Sequence, residues 1–357
     1  MPLRFMLTSS RVGLLEPCDN ACARNRYLIV ILSWIAMSCG LSSVSSAQPI
    51  ELQEVLSIGG FFDIADIAVG QDGNIYVADH RDFSISKYDS HGQLISRVGH
   101  QGVAPGEFVS GPHSIALLDS TLVATDQVGT GAVRFFDLDL NYTGSAQITL
   151  ASNIDPAPNQ LLYYGTVDLA DVTTLKSYIG AYALNGEISS MFELRDMHKY
   201  NTENQFILLV GPLGRIVVVF QAVNRIDVYD LSGNVLNRLS VADLPLRYEG
   251  GFIDLEGQIP LPDHMIESIS YVPGGMIFTG AVLDHAGNLL LEHGGEIEEM
   301  PVRRSVYVMT LAGEEKGVFK MPPYTRLVYM DRKGFAYAVT TTDSTDFLRK
   351  YKLEYLE

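Results

Sequence analysis

Between Asp63 and Phe108 the chain sets down four short runs of β-branched and aromatic residues joined by glycine-containing turns. Ile64–Val69 leads through Asp72 and Gly73 into Asn74–Asp79, and Ser84–Tyr88 leads through His91 and Gly92 into Gln93–Gly99. Glycine takes up the positive φ of a tight hairpin without steric cost, so the pattern predicts four antiparallel strands in up-and-down order. A lone sheet of that kind has two faces to bury and is best stacked against further copies of itself. The chain is therefore expected to be all-β, a ring of four-stranded blades.

The rhythm continues downstream. A second blade is expected from Ser114–Leu118, Thr121–Ala124, Ala132–Phe136 and Tyr142–Ile148, and a fourth from Phe206–Val210, Arg215–Phe220, Arg225–Tyr229 and Asn234–Val241. The third falls within residues 160–194, with its turn at Leu184–Glu187 and its first two strands unplaced. The fifth combines Met276–Leu283, Asn288–Leu291, Ser305–Leu311 and Val318–Met321, interrupted by the acidic excursion Glu292–Val302. The sixth has three strands of its own, Arg326–Met330, Phe335–Val339 and Phe347–Leu356. Its missing outer strand is available at Ile50–Ile58, and pairing the two termini would close the ring and remove two open sheet edges. The expectation is a six-bladed β-propeller over residues 48–357, preceded by residues 1–47. Three connections, 151–159, 196–204 and 242–267, exceed hairpin length, and long loops in compact domains are often functional.

One blade and its exit loop also carry a resemblance. Asp72–Asp79, then Gly92, Gly99, Gly102, Pro105–Phe108 and Pro112 resemble the NHL repeat of six-bladed propellers, with a weaker echo at Leu122–Asp126. The resemblance implies a propeller used for binding, with enzymes as a minority among its relatives.

Residues 1–47 read as a leader. Arg24 and Arg26 precede the apolar run Tyr27–Met37, and small residues follow as far as Ala47. The run is shorter than the ~20 residues of a bilayer span, which predicts a secretory signal cleaved after Ala47 and a periplasmic or secreted product. Two alternatives stand beside it: an uncleaved anchor, and lipidation at Cys39, because Ala36–Cys39 resembles a lipoprotein box without its usual leucine. All three cysteines, Cys18, Cys22 and Cys39, precede Gln48. A chain starting at Gln48 has no disulfide, cysteine metal site or cysteine nucleophile. Removing residues 1–47 also takes the net charge from −17 to about −19. That field repels phosphate backbones and anionic lipid, so neither nucleic acid nor a membrane is an expected partner. A monomer without a membrane span or cofactor is expected.

Six residues are expected to contact a ligand. His80 and Arg81 follow the second strand of the first blade, Gln221 and Arg225 occupy the corresponding loop of the fourth, His113 leads into the second blade, and His264 lies in the long 242–267 loop. Asp79 and Asp126 each end a second strand, which suggests turn acceptors rather than ligand groups. Asp137, Asp139 and Asn141 have the spacing of a calcium loop, but Tyr142 and Ile148 replace its glycine and its final acid, so a strand edge is expected. The cluster His285, Glu292, His293, Glu296, Glu298 and Glu299 fixes no coordination geometry.

Pro105–Phe108 with Pro112–Leu117 also resembles the peptidyl-hydroxyglycine lyase branch of these propellers. That resemblance implies histidines on several equivalent loops holding a channel zinc. Here the first blade offers Asp66 and the fourth no Pro-His pair, Arg81 and Gln127 replace the family's tyrosine and arginine, and one histidine is short of the three protein ligands a catalytic zinc needs. The function expected is an exported cell-envelope binding or scaffold propeller for a protein or small-molecule ligand. The competing expectation is a metal-dependent lyase or hydrolase with its site in the channel.

Overall fold

The computed structural model describes residues 48–126, 132–147, 154–167, 176–184, 187–198, 201–242, 244, 251–252, 271–272, 277–294 and 303–355. Residues 1–47, Gln127, His264, Glu296, Glu298 and Glu299 lie outside the described residues. The chain from Ala47 to Glu357 forms one compact unit, an all-β propeller of six four-stranded antiparallel blades.

Blade 1 comprises Ile64–Val69, Ile75–Asp79, Ser84–Tyr88 and Leu94–Val98, and blade 2 Ile115–Leu118, Thr121–Asp126, Ala132–Asp137 and Tyr142–Gln147. Blade 3 comprises Ile154–Pro156, Leu162–Val167, Ser177–Tyr182 and Ile188–Glu193, and blade 4 Phe206–Val210, Arg215–Phe220, Ile226–Asp230 and Val235–Leu239. Blade 5 comprises Phe278–Leu283, Leu289–His293, Ser305–Met309 and Glu315–Lys320. Blade 6 takes Thr325–Met330, Phe335–Thr341 and Asp346–Tyr355 from the C-terminal end and Gln48–Phe61 from the N-terminal end.

Strand alternation explains why these sheets stack. In the second strand of blade 1, Ile75 and Val77 pack with Tyr337, Val339 and Leu348 of blade 6, while Tyr76 and Ala78 pack with Leu122, Ala124 and Phe136 of blade 2. A period of two therefore sends each strand's side chains into two different interfaces. Six apolar clusters result, one for each blade junction around the ring. The second strands are buried on both faces, which is why they read as continuous apolar runs.

The ring closes as expected, through antiparallel pairing of Ile50–Phe61 with Asp346–Tyr355. The N-terminal strand is longer than Ile50–Ile58: Gln48 and Pro49 also pair, in parallel, with Gly317 and Val318 on the outer strand of blade 5. One strand thus ties two blades together. Blade 3 departs from the sequence reading, because Ile154–Pro156, inside a segment read as a long loop, is its inner strand. Proline has no N–H to give a ladder, but an inner strand has one unpaired edge and tolerates it there. The second strand of blade 5 also runs past Leu291 to take in Glu292 and His293, both buried. Part of the segment read as the 242–267 loop is a short strand: Gly251–Phe252 pairs with Tyr271–Val272.

Deleting Ile50–Ser57 removes the outer ladder of blade 6 and the packing of Ile50 and Leu52 against the blade 5–blade 6 cluster. At about 1.5–3 kcal/mol for each well-buried aliphatic side chain, the deletion is expected to cost several kcal/mol. Thermal unfolding of the shortened and full proteins checks this, and equal midpoints would rule out closure by this strand.

Candidate functional site

An up-and-down blade sends its second-to-third-strand turn and its link to the next blade out of the same end. His80 and Arg81 lie in such a turn of blade 1, Gln221 and Arg225 in that of blade 4, and His113 in the link to blade 2. The topology thus puts these five residues at one end of the ring.

Two of them, His80 and His113, stand together, and Arg81 follows His80 in the chain. The His80 and His113 rings lie 5.9 Å apart between centroids at an angle of 57°. Gly111, at φ 96°, makes the approach possible, since a Cβ there would run into the carbonyl and ring of His80. The His113 amide donates to the Thr125 carbonyl, which fixes the link against the second strand of blade 2. Arg81 and His113 are exposed, and His80 is half-buried.

The two blade 4 residues make contacts within the protein. Arg225 is buried: its guanidinium donates to both Asp227 oxygens and to the carbonyls of Arg195 and Asp196, and it lies 4.6 Å over the Phe220 ring. The Gln221 carbonyl accepts the amides of Ile277 and Phe278, carrying the chain into blade 5.

The acids at the ends of second strands are turn acceptors. Asp79 takes the amides of Phe62, Asp63 and Asp82. Asp126 takes those of Val109 and Ser110, the Ser110 hydroxyl and Arg134. Burial pushes the Asp126 carboxyl up, but these donors outweigh it and hold the group below its ordinary range. Asp137 accepts the amides of Asp139 and Asn141 and the Asn141 side chain, so the calcium-like spacing belongs to a hairpin turn.

The sequence reading left the channel wall largely unnamed. Asp66 on the inner strand of blade 1 accepts the Ile115 amide and the Ser114 hydroxyl, and burial raises its carboxyl above the ordinary range. Asp155 on the inner strand of blade 3 accepts the Val210 amide, and burial pushes it up to about 8. Glu292 accepts the Leu327 amide, the Thr279 hydroxyl and Arg304, with burial raising it against the pull of Arg304. Arg326 donates to the Ile64 carbonyl, while Asp346 accepts the Ile64 amide. Burial lowers Arg326 and pushes Tyr329 up to about 12. A polar residue on an otherwise apolar inner strand was the available signal, clearest for Asp66 and Asp155. Glu292 was read instead as part of an acidic loop cluster. Among the described residues, no group of three or more histidine, cysteine or acidic residues is placed to hold a metal ion.

No protein-family model matches the sequence, and no curated protein matches it. The fold has solved counterparts. A Bacteroides fragilis protein named as exported superposes with a TM-score of 0.57 at 10% identity, over 85% of this chain and 95% of that one. A protein of unknown function from Bacteroides thetaiotaomicron gives 0.52 at 12% identity, over 87% and 75%. A luciferin-regenerating enzyme gives 0.50 at 12% identity, over 85% and 95%. Likeness at this identity establishes the propeller fold and nothing finer.

Asp155 gives the channel a pH dependence with a defined sign. Its folded-state value lies above the ordinary 3.8, so between about 4 and 8 the native protein keeps a proton the unfolded chain has lost. Its contribution therefore makes stability fall as pH rises through that window. Asp155→Asn retains an acceptor for the Val210 amide, and is expected to flatten the slope and raise the thermal midpoint at pH 8 by roughly a few degrees. Superimposable pH–stability curves for the two proteins would refute this.

Proposed function

We propose that the chain is an exported, monomeric, six-bladed propeller that binds a ligand at the end of the ring bearing His80, Arg81 and His113. The observation that carries the reading is the meeting of His80 and His113 at a junction between two blades, with the exposed Arg81 following His80 in the chain. Polar side chains on loops held by a rigid scaffold are the usual form of a binding site. Arg225 and Gln221 support the opposite side of that end through their packing and backbone bonds.

Export is supported by the leader-like residues 1–47. The fold is also shared with a protein named as exported. Cleavage after Ala47 yields a free periplasmic or secreted protein, whereas lipidation at Cys39 yields an anchored one; the mass of the exported product decides between them. The repeat resemblance around Asp72–Asp79 fits use of the propeller as a binding module.

Thermal-shift screening of the purified protein against muropeptides, oligosaccharides and free amino acids tests the reading. A stabilising compound is expected, with its shift lost in Arg81→Ala. Turnover of that compound by the protein, together with a stoichiometric metal lost in His113→Ala by elemental analysis, would replace binding with metal-dependent catalysis. Hits that all survive Arg81→Ala would move the site elsewhere.

A further inference from the structure

The acids closest to Arg81 in sequence are already occupied. Asp79 is turned inward onto the amides of Phe62, Asp63 and Asp82, while Asp82 pairs with Arg97 and accepts the Ser84 hydroxyl. In the link that carries His113, Glu107 is held by His100 and by the Ala104 amide. Arg81 itself makes no ion pair among the described residues and is exposed. A chain of net charge −17 thus presents an uncompensated cation here, next in the chain to His80, whose ring meets that of His113.

His80 Nδ1 is sealed from solvent with no hydrogen-bond partner among the described residues, so Nε2 is the ring nitrogen left for a ligand. A buried polar atom without a partner is costly, and here it accompanies a close contact that requires glycine at position 111.

We propose that His80, Arg81 and His113 form a receptor for an anionic oxygen group, a carboxylate or a phosphate, on a small molecule. A guanidinium offers two parallel N–H donors to either group, and an imidazole N–H supplies a third from the side. This inference rests on the ligand-binding reading of the same end of the ring and specifies the chemistry bound there.

The test is a titration of protein labelled with 13C,15N-histidine, following the ring resonances of His80 and His113, assigned through His80→Gln and His113→Gln. Sodium acetate and inorganic phosphate are the two probes, with sodium chloride at matched ionic strength as the reference. Saturable shifts confined to these two histidines are expected with at least one probe, and which probe saturates distinguishes a carboxylate from a phosphate source. Arg81→Ala is expected to weaken the fitted Kd by about ten-fold or more, through loss of the charge-assisted guanidinium contact, with an unchanged thermal midpoint. Shifts that merely follow ionic strength, or saturation undiminished in Arg81→Ala, would overturn the proposal. An uncharged compound that binds through Arg81 in the thermal-shift screen would also overturn it while leaving the binding site itself in place.

Discussion

The inner strand of each blade is a sheet edge that faces a narrow channel, and its unpaired amides need acceptors that no neighbouring strand can supply. The chain answers at all six junctions. Asp346 of blade 6 takes the Ile64 amide, Asp66 of blade 1 takes that of Ile115, and Ser114, leading into blade 2, takes that of Ile154. Asp155 of blade 3 takes the Val210 amide, the Gln221 carbonyl of blade 4 takes those of Ile277 and Phe278, and Glu292 of blade 5 takes that of Leu327. An unmet buried amide costs about 1–3 kcal/mol, so this circuit is a condition for packing strands around an axis at all. It also brings several carboxyls into a desolvating channel, which is why Asp66, Asp155 and Glu292 titrate above their ordinary range.

Apolar packing sets the spacing of the blades, but the polar circuit fixes how adjacent inner strands are staggered. The six clusters fill the wedges between sheets, and the circuit joins the inner strand of each blade to the blade before it. Ser114 shows how closely they are joined. Its hydroxyl donates to Asp66 and accepts the Ile154 amide, so one side chain connects three consecutive blades.

Much of this fold was legible because its signals are local. The hairpins of blades 1 and 4 announce themselves by glycine turns between β-branched runs, those of blade 2 by the runs alone, since Asp119 and Leu140 take the positive φ there, and the deficit of one strand at the C-terminal end pointed to Ile50–Ile58. An aspartate that folds back onto the following amides recurs at Asp89, Asp137, Asp230, Asp284 and Asp331, and it gives those turns their visible pattern. The inner strand of blade 3 was hidden because it is three residues long and ends in Pro156. Glu292 was misplaced because an acidic residue next to a loop reads as solvent-exposed, whereas its partners Thr279, Arg304 and Leu327 are 12 to 35 residues away in the chain. Long-range acceptance of this kind leaves no local pattern to read.

Arg81 and Arg225 make the same point for the candidate site, since both occupy second-to-third-strand turns and looked equivalent in sequence. Their fates are set by the acids nearby. Arg225 is two residues from Asp227, which is fully buried and gathers both Arg225 and Arg238, so the guanidinium is drawn inward over Phe220. Removing that arginine would leave a buried carboxylate short of a donor, which makes it a residue of the fold. The acid beside Arg81 is instead bound to Arg97 from the outer strand of the same blade. With its nearest acid already matched, Arg81 gains nothing by turning inward and stays at the surface. One loop position has thus been used for packing in blade 4 and left chemically open in blade 1, where the residue before it, His80, meets His113.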